Sequence, residues 1–159
     1  LAFALRQDGW YLRQDIIWHK PNPMPESVRD RCTKSHEYIF LLSKSQNYYF
    51  DVDAIKEPTR RKRSVWSISN KPYRQAHFAT FPPDLIEPCI LAGSKAGDIV
   101  LDPFMGSGTT AMVSKQHQRY YIGCELHNNY SDLIDKRLDS VPVNKVSQEI
   151  VNPITELLY

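Results

Sequence analysis

A carboxylate and two glycines in the second half of the chain have the types and spacing of a ligand-binding loop. Asp102 lies four residues before Gly106, which opens a G-x-G-x-x-A pattern that ends at Ala111. Small residues at such a place let a ligand approach the backbone where a helix begins. Glu125 follows Gly108 by 17 residues, a spacing at which a carboxylate accepts hydrogen bonds from ribose hydroxyls. The pattern predicts a site for a nucleotide-type ligand.

The charges around this loop discriminate among three ligand classes. A nucleoside triphosphate is disfavoured, because no lysine follows Gly108 to neutralise phosphate. Asp102 would repel the pyrophosphate of NAD and attract the cationic sulfonium and ammonium groups of S-adenosylmethionine. At an effective dielectric near 20, unit charges about 4 Å apart interact by roughly 4 kcal/mol. S-adenosylmethionine is therefore favoured, while two alternatives stay open: NAD as the ligand, and Asp102 as a turn residue before Pro103.

Five blocks of sequence carry a resemblance to a known family. They are Gly9-Trp-Tyr-Leu-Arg-Gln-Asp-Ile-Ile-Trp-His-Lys-Pro-Asn-Pro23, Ser35-His-Glu-Tyr-Ile-Phe-Leu-Leu-Ser-Lys44, His77-Phe-Ala-Thr-Phe-Pro-Pro83, Asp102-Pro-Phe-Met-Gly-Ser-Gly-Thr-Thr110 and Gly123-Cys-Glu-Leu126. Over roughly residues 1 to 138 the chain resembles the DNA amino-methyltransferases, which methylate N4 of cytosine or N6 of adenine. The order of the blocks matches the permuted group of that family, in which the substrate strands precede the cofactor blocks.

The resemblance implies a partner and a role for the motif residues. S-adenosylmethionine is the implied methyl donor, and double-stranded DNA with a flipped target base is the implied acceptor. The residues implied to bind the cofactor are Asp102, Phe104, Gly106 and Gly108 at its methionine end, Thr109 beside them, Glu125 at its ribose, and His77, Thr80, Phe81 and Pro82 along the border of the same pocket. The reaction needs no covalent cysteine intermediate, so no cysteine receives a catalytic role.

One part of the family's pattern does not occur in this sequence. The reaction uses a tetrapeptide of Asp, Asn or Ser, two prolines and an aromatic residue, whose ring stacks on the flipped base. The only Pro-Pro pair, Pro82-Pro83, follows Phe81 and precedes Asp84. The resemblance places the true block before Leu1 together with two central strands, so we assign no catalytic residue and expect the chain alone to be inactive. An alternative stays open, a non-catalytic remnant of a prophage or mobile element that retains cofactor or DNA binding.

The elements that must position these residues form an α/β pattern. Apolar periodicity predicts helices at 1–9, 83–92, 109–116 and 129–138, and strands at 11–18, 37–43, 99–101 and 119–125. The two early strands should pair around a proline-rich loop, and the later units alternate strand and helix. The predicted fold is an incomplete, doubly wound, Rossmann-like methyltransferase sheet with an antiparallel hairpin, in a single incomplete domain.

Charge is distributed unevenly along the chain. The first 80 residues carry a net charge of +6 and the rest −4, although the total is only +2. Residues 51–76 form a basic linker between a helix end and hairpin at 1–50 and a cofactor-binding unit at 77–140, which a tail at 141–159 follows. Cations among aromatic residues suit phosphates and unstacked bases. We therefore predict DNA contacts, or alternatively only a solvated loop, for Lys20, Arg60, Arg61, Lys62 and Arg63.

Composition and cysteine content exclude several classes of protein. Hydrophobic residues make up 42% of the chain, enough for a packed core, and no apolar run approaches the roughly 18 residues of a membrane span. No export signal is visible, and Cys32, Cys89 and Cys124 suggest neither a disulfide framework nor a metal site. We expect a cytoplasmic protein whose cysteines are reduced and mostly buried. Absent central strands should leave sheet edges unpaired, which favours homo-oligomers or low stability.

Overall fold

A short helix and a strand hairpin open the fold, and strands and helices alternate after them. The structure, a computed structural model, describes residues 1–70 and 80–142. Its elements in chain order are α1 (Ala2–Gln7), β1 (Tyr11–His19), β2 (His36–Ser43), β3 (Val65–Ser67), α2 (Pro83–Gly93), β4 (Ile99–Asp102), α3 (Thr109–Gln116), β5 (Tyr120–Gly123) and α4 (Ser131–Asp139), with a 3-10 turn at Asn128–Tyr130. The predicted α/β class and antiparallel hairpin are confirmed. None of the described helices is long and apolar enough to cross a membrane.

The first sheet has the strand order β2-β1-β3. β1 pairs antiparallel with β2 over most of its length, and the loop between them is closed at its base by a hydrogen bond of 2.7 Å from the Lys20 N–H to the Ser35 carbonyl. β3 joins β1 in parallel, with Trp18 beside Trp66. The predicted basic linker therefore contains a strand. A strand of three residues is too short to show a periodicity, which is why sequence reasoning missed it.

The second sheet holds two parallel strands, β4 and β5. Ile99 pairs with Tyr120 and Asp102 with Gly123, and α3 forms the crossover that a parallel pair requires. Because parallel strands run in the same direction, their carboxyl ends meet at one edge of the sheet. The loop that follows Asp102 and the loop that contains Glu125 are therefore neighbours.

Two apolar clusters fix the helices against the strands. The first cluster joins β1, β3 and the start of α2; its members are Ile16, Trp18, Trp66 and Leu85. The second cluster joins the loop after β4 to α3 and α4; its members are Met105, Ala111 and Leu138. Burial of large apolar side chains is the main stabilising term at such contacts, roughly 1.5–3 kcal/mol each. Because the second cluster includes a residue of the predicted ligand loop, the packing of α3 and α4 sets the position of that loop.

The prediction that the cysteines are mostly buried is wrong for two of the three. Cys32 and Cys124 are exposed, and Cys89 is half-buried. Cys32 lies in the hairpin loop and Cys124 just after β5, and neither belongs to an apolar cluster. Burial raises the pKa of the Cys89 thiol to about 11. Both exposed cysteines lie in irregular backbone, where an apolar pattern in the sequence gives no information on burial.

Candidate functional site

Asp102 ends β4 and turns the chain into the loop that follows. Its Oδ1 accepts a hydrogen bond from the Phe104 N–H over 3.0 Å, and its carbonyl accepts one from the Cys124 N–H over 3.0 Å. The interpretation of Asp102 as a turn residue is thus correct for one carboxylate oxygen. The other, Oδ2, has no hydrogen-bond partner among the described residues. An acceptor oxygen is available at the point where β4 ends.

Glu125 joins the two neighbouring loops. Its Oε2 accepts a hydrogen bond from the Gly106 N–H and its Oε1 accepts one from the His127 N–H, each over 2.8 Å. Backbone donors, the His127 N–H first, hold the pKa of the Glu125 carboxyl below its ordinary value of 4.5. The side chain is therefore ionised at neutral pH. Since Gly106 follows β4 and Glu125 follows β5, this carboxylate fastens one loop to the other.

Glycines are required where loop, strand and helix approach closely. Gly106 and Gly108 have φ angles of +53° and +76°, which other residues rarely adopt. A Cβ on Gly108 would also lie 3.3 Å from the side chain of Ile134 in α4. A Cβ on Gly123 would lie 1.7 Å from Cε of Met105. The absence of side chains at these positions therefore lets the loop lie close to β5 and α4; a side chain at Gly123 would require the end of Met105 to move.

Helix α4 supports the back of the loop through contacts that sequence reasoning missed. Arg137 donates from Nη1 to the carbonyl and hydroxyl oxygens of Ser107, over 3.2 and 3.0 Å. Lys115 in α3 donates to the carbonyl of Leu138 over 2.8 Å, close to the end of α4, where a cation is favoured. No motif or spacing marks these residues, because their role depends on how α4 packs. They position the loop without themselves belonging to it.

A cavity of about 470 Å³ lies between β4 and α2. Of the residues predicted to bind the cofactor, Phe81 and Asp102 line it. The described residues from the same prediction that do not line it are Thr80, Pro82, Phe104, Gly106, Gly108, Thr109 and Glu125. His77 lies outside the described residues. The structure thus joins Asp102, Gly106 and Glu125 at one loop junction, and it connects Phe81 to Asp102 through the cavity.

Two of the five cations predicted to contact DNA are paired with carboxylates. Lys20 pairs with Glu37, and its Nζ lies 4.3 Å from the centroid of the Trp18 ring. Arg60 pairs with Glu57, and this hydrogen bond is the first cause that lowers the pKa of the Glu57 carboxyl. Each of these cations therefore has a structural partner on its own chain.

The other three predicted cations differ in whether another side chain contacts them. Lys62 lies over the ring of Trp66, with Nζ 5.0 Å from the centroid. Arg61 and Arg63 are exposed, and neither guanidinium makes an ion pair with a described residue. Within the described part of the chain, Arg61 and Arg63 are therefore the two of the five predicted cations whose charges are most available to a partner.

The chain matches a known protein family over most of its length. The sequence profile of the DNA methylases, N6_N4_Mtase, matches residues 1–136. The chain belongs to the DNA methylase family. The resemblance inferred from the sequence blocks is confirmed at the level of the family.

Curated relatives are similar to nearly the whole of this chain. The type II methyltransferase M.Cfr9I of Citrobacter freundii is 54% identical over 151 residues, which cover 92% of this chain and 50% of that protein. The type II methyltransferase M.SmaI of Serratia marcescens is 54% identical over 145 residues, which cover 87% of this chain and 50% of that protein. The chain spans about half the length of these relatives.

Solved structures of related proteins share the fold of this chain. M1.HpyAVI in its complex with SAM has a TM-score of 0.70 at 31% identity, over 87% of this chain and 67% of that chain. TTHA0409 of Thermus thermophilus, complexed with S-adenosyl-L-methionine, has a TM-score of 0.63 at 26% identity, over 90% and 62%. The cytosine-N4-specific PvuII DNA methyltransferase, at 22% identity and a TM-score of 0.78 over 92% and 56%, supports the fold alone. The predicted Rossmann-like methyltransferase fold is confirmed.

Replacing Gly123 with alanine should destabilise the contact between β5 and the loop, because the new Cβ would lie 1.7 Å from Cε of Met105. We expect the free energy of unfolding, measured by urea denaturation, to fall by about 1–3 kcal/mol, the usual cost of overpacking. The control is the double variant Gly123→Ala with Met105→Ala, which should lose less than the sum of the single variants. Additive losses would show that Met105 is not the cause.

The amide groups of Gly106 and His127 should report the protonation of Glu125. Because the folded-state pKa is lowered, both hydrogen bonds should persist above the ordinary value of 4.5 and be lost as the pH falls through the lowered pKa. In ¹⁵N NMR spectra, both amide signals should move together as the pH falls below about 5. The Glu125→Gln variant is the control. An unchanged acid titration in that variant would assign the signal to another group.

Proposed function

We propose that this chain is the S-adenosylmethionine-binding portion of a site-specific DNA methyltransferase that acts on the exocyclic amino group of cytosine or adenine. The observation that carries the proposal is the junction of Asp102, Gly106 and Glu125 at the parallel ends of β4 and β5. Family membership supports DNA as the substrate, and the solved complexes of M1.HpyAVI and TTHA0409 support the cofactor. The catalytic tetrapeptide would come from the half of the enzyme that this chain does not span.

The groups at the junction suit those of S-adenosylmethionine. Oδ2 of Asp102 is an acceptor for its cationic end, and the bare backbone of Gly106 leaves room beside it. Each carboxylate oxygen of Glu125 accepts one N–H and keeps acceptor capacity for a ribose hydroxyl. Phe104, 86% exposed, offers an apolar ring next to the same loop. When bound, S-adenosylmethionine supplies the methyl group, and these residues hold and orient it.

One sequence observation favours a second candidate, a polypeptide that binds cofactor or DNA without transferring a methyl group. No Asp, Asn or Ser followed by two prolines and an aromatic residue occurs in the chain. Transfer of tritium from labelled S-adenosylmethionine to double-stranded DNA separates the two candidates. The chain alone should transfer no label in either case. Label transferred after addition of the half of M.Cfr9I that this chain does not match supports the enzyme. The absence of label from a mixture that binds both ligands supports the second candidate.

The variants Asp102→Asn and Glu125→Gln should each weaken S-adenosylmethionine binding by about tenfold or more, because each removes a charge-assisted contact without changing shape. Isothermal titration calorimetry on the whole chain gives the dissociation constants. Asp98→Asn is the matched control, since Asp98 precedes β4 at the opposite end of the strand and accepts a hydrogen bond from the Lys95 N–H. Unchanged affinity in both site variants would remove the assignment of the junction as the cofactor site.

Arg61 and Arg63 should supply most of the phosphate binding of the four consecutive cations at residues 60–63. The variant Arg61→Gln with Arg63→Gln should reduce the slope of log K against log salt concentration by about 1.8, which corresponds to two phosphate contacts. Fluorescence anisotropy with a labelled duplex measures the slope. The charge-matched control is Arg60→Gln with Lys62→Gln, whose side chains already contact Glu57 and Trp66. Equal losses in the two double variants would show that only net charge matters.

A further inference from the structure

The connection between β1 and β2 is much longer than a hairpin needs. It consists of the 16 residues 20–35, none of which is in a helix or strand. Hairpin connections usually have about 2–5 residues, and loops of more than about 12–15 residues without secondary structure are uncommon and usually functional. The junction of Asp102, Gly106 and Glu125 uses no residue of this segment. We call residues 20–35 the hairpin loop.

Two sets of contacts hold the hairpin loop in shape. At its base, the Lys20 N–H donates to the Ser35 carbonyl over 2.7 Å, and the Lys20 side chain pairs with Glu37 of β2. Within the loop, Nη1 of Arg31 donates to Oε2 of Glu26 over 2.6 Å. These contacts engage the charges of Lys20 and Arg31 inside the protein. A loop that is ordered in advance loses less conformational entropy when it binds a partner.

The first part of the hairpin loop presents an apolar side chain on a stiff backbone. Pro21, Pro23 and Pro25 fix their own φ angles and restrict the residues before them to extended conformations. Met24 lies between two of these prolines, and its exposed fraction is 79%. It belongs to neither apolar cluster of the described residues. Its side chain is therefore held out in solvent by a backbone that has little freedom to fold it back.

The second part of the hairpin loop carries cations that no carboxylate of the protein engages. Arg29 and Lys34 are exposed, and neither forms an ion pair with a described residue. The loop as a whole contains four lysine or arginine residues and two aspartate or glutamate residues. The loop thus combines an excess of positive charge with a protruding apolar side chain.

We propose that the hairpin loop contacts double-stranded DNA, with Arg29 and Lys34 on phosphates and Met24 in a groove against the bases. The inference rests on the proposed function, in which DNA is the substrate. Charge complementarity favours this partner, since phosphates attract the two free cations. Proteins that enter a groove of the duplex use methionine and proline among their apolar wedges.

The position of the hairpin loop in the first sheet agrees with this partner. The loop leaves the carboxyl end of β1, where His19 is paired with Ser67 at the carboxyl end of the parallel strand β3. In open α/β sheets, ligands bind outside the carboxyl ends of the strands. An acidic protein surface is the competing partner. It would attract the same cations, but it has no stacked bases for Met24 to contact.

The first experiment measures binding of the whole chain to a labelled duplex by fluorescence anisotropy, from about 50 to about 200 mM salt. The variant Arg29→Gln with Lys34→Gln should reduce the slope of log K against log salt concentration by about 1.8, for two phosphate contacts. The charge-matched control is Arg13→Gln with Lys44→Gln, at the opposite end of the hairpin, and it should leave the slope unchanged. Equal losses in the two double variants would overturn the proposal, because only net charge would matter.

The second experiment separates DNA from an acidic protein surface. Met24→Ser should lower duplex affinity by about fivefold at every salt concentration without changing the slope, because loss of an apolar contact releases no counterions. Met24→Leu should retain the affinity. Binding to poly-L-glutamate, which has no bases, should be the same for Met24→Ser and the unchanged chain. Equal losses on the duplex and on poly-L-glutamate would overturn the proposal in favour of an acidic protein.

Two further results would overturn the proposal: a folded chain that does not bind the duplex, and loop variants that bind it as the unchanged chain does. Circular dichroism confirms that each variant is folded. Calorimetry with S-adenosylmethionine tests the proposed function separately. Cofactor binding together with unaffected loop variants would overturn the loop assignment alone. Loop variants that weaken duplex binding, in a chain that binds no cofactor, would overturn the proposed function and leave the DNA contact standing.

Discussion

The hydrogen bond from the Gly106 N–H to the Glu125 carboxylate links the two loops on which the proposed site depends. A loop rich in glycine loses more conformational entropy on folding than any other, so it must be held by contacts outside itself. Three such contacts hold this one. The carboxylate secures its middle, the Met105 N–H donates to the Cys124 carbonyl over 2.8 Å, and Arg137 secures Ser107 from behind.

The same junction gives an electrostatic reason for the proposed preference for a cationic ligand. Two carboxylates, Asp102 and Glu125, lie at the ends of adjacent parallel strands, where like charges repel each other. Backbone N–H groups compensate both oxygens of Glu125 but only one oxygen of Asp102. A positive group placed beside the remaining oxygen lowers the energy of the pair, and a pyrophosphate there would raise it. The parallel direction of the two strands thus accounts for the positive charge of the ligand proposed for this site.

Helices and strands that show a clear periodicity or motif could be predicted from the sequence. The helix predicted at 83–92 is Pro83–Gly93, and the strand predicted at 99–101 is Ile99–Asp102. The glycine loop could be predicted because its residue types are themselves a signal. The contacts that hold this loop in place could not be predicted. Those of Arg137 with Ser107 and of Met105 with Gly123 join residues 18 or more positions apart in the sequence. Likewise, a run of four cations in sequence does not reveal that Arg60 and Lys62 are engaged by Glu57 and Trp66.

The placement of the indole rings determines what optical spectroscopy can observe in this molecule. Trp18 and Trp66 are buried in the first cluster, and Trp10 lies beneath Lys44, whose Nζ is 4.3 Å from its ring. These are the three tryptophans of the chain, whereas β4, β5 and the glycine loop contain none. Indole fluorescence therefore reports on the first sheet and its surroundings and not on the glycine loop. An opening confined to the loop would alter amide exchange while the emission spectrum stayed constant, so agreement between the two signals distinguishes global from local unfolding.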